Sequence, residues 1–156
     1  MTLQRGQLTD RHPPFKYSAH ARVDFSDTDA QGIVYYGRYL PYFDMARVEY
    51  LRELGLLETA PREHEFVMRA LEVEYFAPAR FDDAIEIFVR LARIGRSSTT
   101  WEFAAHRVPD GELMVTSAHT TVLVDVEARR PVPVPAEFRL TVQELEGADL
   151  ELPNPV

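Results

Sequence analysis

The sequence predicts an α+β domain in which one long helix is covered by an antiparallel β-sheet. One stretch, Tyr39 to Leu54, carries sustained helical periodicity, while the chain from Val67 to Val126 alternates as strands do and is cut by short turn signals. The 156 residues are 46% hydrophobic and 27% charged, a composition that supports one folded domain with a core of its own.

Taken in order, residues 1–17 mix charged and polar groups with Pro13-Pro14 and read as a mobile arm. A short strand follows from His20 to Phe25, with Val23 and Phe25 on one face, and then a polar turn from Ser26 to Gly32. In the helix Tyr39, Phe43, Ala46, Tyr50 and Leu54 recur at helical spacing, and Gly55 stands where a left-handed cap belongs. Pro41 places the helix start at about residues 37 to 41, because proline is tolerated only in the first turn. Backbone N–H groups around Tyr36 to Tyr39 are therefore expected to be free to bind something.

After a loop around Pro61, four strand faces are expected: Val67, Leu71, Val73 and Tyr75; Ile85, Ile87, Val89 and Leu91; Thr99, Trp101, Phe103 and Ala105; and Met114, Ala118, Val122 and Val124. Pro78 with Asp82-Asp83, then Gly95, then Pro109-Asp110-Gly111 separate them, and such short connections imply antiparallel neighbours. Pro131, Pro133 and Pro135 make an extended crossing before a final helix at about 136 to 146 and a frayed tail. The domain is thus expected over 18–146, between the 1–17 arm and a 147–156 tail. One sheet layer on one helix leaves a face and edges needing cover, for which dimerisation is the remedy.

Composition also excludes some chemistry. There is no cysteine, which removes disulfides, thiolate metal sites and a cysteine nucleophile and makes a cytoplasmic address the expectation. No stretch has the roughly 20 apolar residues a membrane span needs. A net charge of −8 argues against nucleic acid as a partner. No phosphate-binding glycine loop, no nucleophile elbow and no zinc-protease pair of histidines occurs.

The polar segment that remains is Asp27-Thr28-Asp29-Ala30-Gln31-Gly32-Ile33-Val34-Tyr35-Tyr36-Gly37-Arg38-Tyr39, which runs carboxylates through an apolar stretch into a helix N-terminus. A carboxylate is stabilised there by the helix dipole, and an anion forming on a substrate is met by free N–H groups. Asp27, taken alone, reads as a turn cap that bonds its own backbone two residues on. Asp44 and Arg47, three apart on the helix, read equally as an ion pair worth about 0.2–0.5 kcal/mol or as a substrate contact. His106 and His119 read as packing or surface residues, and Glu72 and Glu74 as solvated.

From Val23 to Arg47, with Asp27-Thr28-Asp29, Gly32-Ile33-Val34-Tyr35-Tyr36, Tyr39 and Phe43-Asp44-Met45-Ala46-Arg47, the chain resembles the 4-hydroxybenzoyl-CoA thioesterase family of hot-dog-fold acyl-CoA thioesterases. The resemblance implies a hot-dog fold and hydrolysis of an acyl-CoA, short-chain or aromatic, to the free acid and CoA. It puts Asp29 in the place of the catalytic aspartate, as nucleophile or general base, and Tyr36 in the place whose backbone N–H polarises the thioester carbonyl. A histidine common at that place is absent here, which points to an aspartate-only arrangement. Gly32 and Val34 fall in the substrate-binding segment, and Asp44 on the helix face that meets the far end of an aromatic acyl group. Arg93, Arg96, Arg129 and Arg130 are assigned from position to the CoA phosphates. No metal or cofactor is implied, CoA being part of the substrate, and the assembly implied is a homodimer or a dimer of dimers. Two further readings keep the fold: a non-hydrolytic acyl-CoA-binding module, and a dehydratase, which lacks its aspartate–histidine pair here.

Overall fold

The computed structural model describes residues 4–58 and 63–153. The expected loop around Pro61 lies outside the described residues. The strands are β1 (Gly6–Leu8), β2 (Tyr17–Arg22), β3 (His64–Tyr75), β4 (Ala84–Ile94), β5 (Ser98–Arg107), β6 (Leu113–Asp125) and β7 (Arg130–Pro131); the helices are α1 (Tyr39–Glu53) and α2 (Ala136–Glu146). All strand pairings are antiparallel, in the order β1-β2-β4-β5-β6-β3, with β7 on β6.

Helix α1 begins where the proline argument puts it. A single 3-10 turn, Tyr36–Arg38, leads into it, and Gly55, at φ +69°, ends it. Its buried stripe of Tyr39, Phe43, Ala46 and Tyr50 packs against Ile85, Ile87, Val89 and Leu91 of β4 and Trp101, Phe103 and Ala105 of β5. Each of those strand residues lies on the expected face.

The expected faces of β3 and β6 need correction. On β6 the buried row facing the helix is Val115, Ser117, His119, Thr121 and Leu123, so Ala118, Val122 and Val124 point the other way. On β3 a bulge between Met68 and Ala70 switches the phase, which leaves Leu71, Val73 and Tyr75 opposite the buried β6 row but turns Val67 outward with Val122. One extra residue reverses every later side chain, and nothing in the apolar pattern announces it.

The ends of the chain also differ from expectation. Strand β2 runs Tyr17–Arg22 rather than from His20, because Tyr17, Ala19 and Ala21 pair with Val89, Ile87 and Ile85. The chain then turns, so Val23 is buried while Phe25 is 77% exposed. Of the expected arm over 1–17, residues 6–17 take packed positions instead. β1 pairs with β2, with Gly6 so close to the Tyr17 ring that a Cβ there would lie 2.0 Å from the phenol oxygen. Phe15 and His12 pack on Phe88, and Arg11 pairs with the buried Glu86, whose carboxylate also accepts from Ser18 Oγ at 2.6 Å. The expected tail over 147–156 is partly packed too: Leu150 is buried, and Glu151 N–H donates to Ala92 O at 2.9 Å.

Helix α2 is locked to α1 by a buried carboxylate. Glu146 Oε2 accepts from Tyr50 Oη at 2.6 Å and from Leu91 N–H at 3.2 Å, with Lys16 Nζ 3.6 Å from the other oxygen. Burial pushes the Glu146 pKa above the ordinary carboxylate range. Folded Glu146 holds its proton more readily than unfolded Glu146, so its contribution to stability is full below the ordinary glutamate pKa and is lost as pH rises through the raised folded value. Urea unfolding over the acid-to-neutral range is expected to show this decline, and Glu146→Gln to flatten it. Tyr50→Phe removes one donor from a buried carboxylate and is expected to cost about 1–3 kcal/mol at neutral pH in the same measurement.

Candidate active site

The polar segment ahead of α1 folds into a tight hairpin. Asp29 N–H donates to Ile33 O at 2.9 Å and Gly32 N–H to Asp29 O at 3.0 Å, while Thr28 and Val34 bridge across. Gly32 sits at φ +77°, a backbone state that glycine adopts without steric cost. Asp29 is half-buried, its Oδ1 accepts from Gln31 N–H at 2.8 Å, and among the described residues nothing bonds its Oδ2.

Asp27 has a different duty. Its carboxylate accepts the Tyr42 hydroxyl and stands 3.5 Å from Arg38 Nε, and its carbonyl accepts from Tyr35 N–H at 2.9 Å. The structural reading of Asp27 holds, through the helix rather than its own turn: it braces the hairpin against the first turns of α1.

At the helix start, Arg38 N–H is spent on Tyr35 O at 2.8 Å, which closes the 3-10 turn. Expected free amides therefore shrink to those of Tyr36 and Gly37, for which no acceptor occurs among the described residues. Tyr75 Oη donates to Tyr36 O at 2.7 Å and fixes the orientation of that peptide. Neither Tyr35 nor Tyr36 is a core aromatic: both are exposed, their rings 4.3 Å apart, and the Tyr35 phenol is pushed above its usual pKa first by its hydrogen bond to Tyr36. Asp29, Val34, Tyr36, Tyr39 and Tyr75 line one cleft of about 390 Å³, floored by Ala77 and Pro78. Asp29 and Tyr36 thus border one space, and Val34 N–H beside them is tied to Ala79 O at 2.8 Å.

The four arginines assigned to phosphate lie elsewhere. Arg93 lies among the last residues of β4 and Arg96 just after it, Arg129 follows the far end of β6 and Arg130 opens β7, whereas Asp29 sits beside the start of β4. The nine residue steps from Ile85 to Ile94 make that separation roughly 30 Å within one chain. Arg93 pairs with Glu151 at 3.4 Å. The arginines at the Asp29 end are Arg22, Arg38, Arg80 and Arg107, of which Arg80 is joined to the hairpin by the Ile33–Arg80 bridge and has no ion pair among the described residues. Sequence reasoning missed Arg80 because only the β3–β4 connection folding back on the hairpin brings it there.

Asp44 and Arg47 do form the ion pair read from their spacing, Oδ1 to Nη2 at 2.8 Å. They also border a second cavity of about 280 Å³, with Met68, Trp101 and Thr121 among its walls. Arg47 Nη1 is buried and has no hydrogen-bond partner among the described residues, and the same is true of both ring nitrogens of His119. His119 packs between Phe43 and Phe103, with ring centroids 5.8 and 4.6 Å away. Burial, helped by the Arg47 charge, holds its pKa down at about 4, so at neutral pH the ring carries one N–H and one lone pair. Glu72 and Glu74 are exposed on the sheet face away from α1, as read. Among the described residues no three acidic, histidine or cysteine side chains converge as a metal ion would require, and no helix is long and apolar enough to cross a membrane.

These features meet a known pattern. Residues 23–142 match the thioesterase-like superfamily. The chain is 31% identical over 134 residues to the acyl-CoA thioesterase YbgC of Haemophilus influenzae, spanning 83% of this chain and 96% of that one. Among solved structures, the BH1999 gentisyl-coenzyme A thioesterase superposes with a TM-score of 0.72 at 26% identity, over 80% of this chain and 98% of the other. The 1,4-dihydroxy-2-naphthoyl-CoA thioesterase Slr0204 of Synechocystis, at 16% identity, shares the fold alone, with a TM-score of 0.75 over 83% of this chain and 96% of its own. A hot-dog fold, matched along most of its length by acyl-CoA thioesterases, makes this chain a member of the thioesterase-like superfamily and a thioester hydrolase.

Proposed function

We propose that the cleft between the Asp29 hairpin and the start of α1 cleaves an acyl-CoA thioester, with Asp29 as the reacting carboxylate and Tyr36 N–H as the oxyanion donor. The observation that supports it is the shared cleft. In this reading the thioester carbonyl oxygen accepts from Tyr36 N–H and its carbon is met by the unbonded Asp29 Oδ2, both residues bordering the same cleft. As nucleophile, Asp29 bonds that carbon, the C–S bond breaks, CoA departs as thiolate, and water cleaves the mixed anhydride. As general base, Asp29 takes the proton of a water whose oxygen attacks the same carbon, the C–S bond breaks, and the departing CoA sulfur receives that proton. Either way negative charge grows on the carbonyl oxygen, where a fixed backbone donor is typically worth about 10²–10³ in rate. Both routes use only groups of this chain and water.

Aromatic and short-chain acyl groups fit the apolar walls given by Val34, Tyr39 and Tyr75, and a hydroxylated ring reaching along α1 would meet Asp44. For the CoA phosphates Arg80 is the better placed cation within the chain, while Arg93, Arg96, Arg129 and Arg130 could serve only a site completed by another copy. A second copy has an obvious place to add. β3 is an edge strand carrying exposed Met68, Leu71 and Tyr75, and an apolar edge of 12 residues invites strand pairing. A homodimer formed there, itself able to pair again, and a cytoplasmic location suited to a chain without cysteine complete the reading.

Asp29→Asn is expected to reduce release of free CoA from benzoyl- and butyryl-CoA by at least about 10²-fold, while affinity for the thioester stays nearly unchanged. Thiol release measured beside calorimetric binding checks this, and normal turnover by the variant overturns the assignment. Binding of acyl-CoA without turnover in the unmodified protein would instead establish the non-hydrolytic reading. Leu71→Glu is expected to convert the dimer to monomer in sedimentation velocity, and an unchanged sedimentation coefficient would place the interface elsewhere.

A further inference from the structure

Helix α1 opens without a capping side chain. The residues at the N-cap positions of the 3-10 turn Tyr36–Arg38 and of the helix behind it are Tyr35 and Arg38, and neither makes a side-chain cap bond. Serine, threonine, aspartate or asparagine ordinarily stands in such a place and accepts from one of the first N–H groups. A cap of that kind would steady the turn, but it would also consume a donor that a thioester oxygen needs.

The turn is gripped from its other side. Tyr75 Oη donates to Tyr36 O at 2.7 Å, and among the described residues Tyr75 is the side chain that bonds the backbone of this turn. A grip on a carbonyl takes nothing from the donors. The peptide between Tyr36 and Gly37 is planar, so fixing its oxygen also fixes the Gly37 N–H and limits the swing of the Tyr36 N–H one residue back. Accepting a hydrogen bond also polarises that peptide.

Tyr75 is mounted where it can hold such a position. It is the last residue of β3 and pairs with Val115, and the N–H of Phe76 beyond it donates to Met114 O at 2.7 Å. Its ring meets that of Tyr39 with centroids 5.8 Å apart, and Tyr39 Oη accepts from Ala79 N–H at 3.1 Å. Partial burial holds the Tyr75 phenol above its usual pKa, which keeps the donated proton in place. The phenol therefore stands on a hydrogen-bonded sheet, whereas the segment it grips is one short turn closed by Arg38 N–H on Tyr35 O. Turns of that type have poorer hydrogen-bond geometry than an α-helix, so the aim of their free N–H groups depends on an outside hold. Tyr75 and Tyr36 both border the Asp29 cleft.

We propose that Tyr75 is a positioning residue of the thioesterase, whose hydroxyl holds the Tyr36 turn so that the backbone donors there meet the carbonyl oxygen as charge grows on it. The inference rests on the reading of the Asp29 cleft as the place of thioester cleavage and adds the group that keeps its oxyanion donors aimed.

Tyr75→Phe keeps the ring against Tyr39 and removes the hydroxyl alone. Its kcat for benzoyl-CoA is expected to fall at least about tenfold while KM stays within about twofold, because the donors matter most in the transition state. The thermal midpoint is expected to stay close to that of the unmodified protein. Tyr75→fluorotyrosine, a stronger donor of nearly the same shape, is expected to keep kcat at or above the unmodified value at a pH where the phenol holds its proton. A signature independent of turnover is the infrared carbonyl band of benzoyl-CoA labelled with carbon-13 and bound to Asp29→Asn. That band is expected below the position of the free thioester, and adding Tyr75→Phe is expected to move it back. A kcat that survives Tyr75→Phe, a loss that appears in KM or as unfolding, a fluorotyrosine enzyme as slow as the phenylalanine one, or a band that does not move overturns the inference; the thioesterase reading stands if Asp29→Asn is inactive. Normal turnover by Asp29→Asn beside a slow Tyr75→Phe keeps the positioning role and removes Asp29 as the reacting group. Binding of benzoyl-CoA without cleavage in the unmodified chain removes both.

Discussion

One residue of the β3–β4 connection carries the geometry of the site. Ala79 is fully buried; its carbonyl accepts from Val34 N–H at 2.8 Å and its own N–H donates to Tyr39 Oη at 3.1 Å. Three segments distant in sequence meet there: the Asp29 hairpin, the first residue of α1, and the chain leaving the edge strand. Loop backbone buried in this way must be hydrogen-bonded, so the three segments cannot shift independently without stranding polar groups. The position of the carboxylate relative to the helix start is a consequence of that joint, reinforced on its outer side by Asp27 holding Tyr42 and Arg38.

The protein also places polar groups inside where hydrocarbon would be simpler. Glu146 ties α2 to α1 and to the backbone of β4, and Glu86 ties the N-terminal segment to the outer face of the sheet. Both have partners, as buried charge requires. Arg47 differs, because its Nη1 is unpaired among the described residues while the side chain borders a cavity.

How much could be read from the residues varies with the kind of order involved. Helix α1 and the faces of β4 and β5 were legible because local periodicity and burial agree there: each apolar position of the pattern is a core position. The hairpin was legible through Asp29, Gly32 and the helix that follows, since turn and cap chemistry is local. Val67 was not, because a bulge is decided by how β3 meets β6. Nor was the packing of residues 6–16, whose Arg11 and His12 look solvated until Glu86 and Phe88 present themselves across the sheet. The His119 ring followed the same course: its burial on the helix-facing side depended on the register of β6.

By itself the sequence determined the class of fold, the long helix with its start, the turn that carries Asp29 and the absence of thiol chemistry, all of which depend on residues near one another in the chain. The tertiary structure alone decided which amides stay unspent, which arginines share an end of the sheet with Asp29, and that His119 packs between Phe43 and Phe103. Those facts depend on strand register and on segments brought together across the sheet, and a contact such as that of Phe43 with His119 leaves no trace in local pattern.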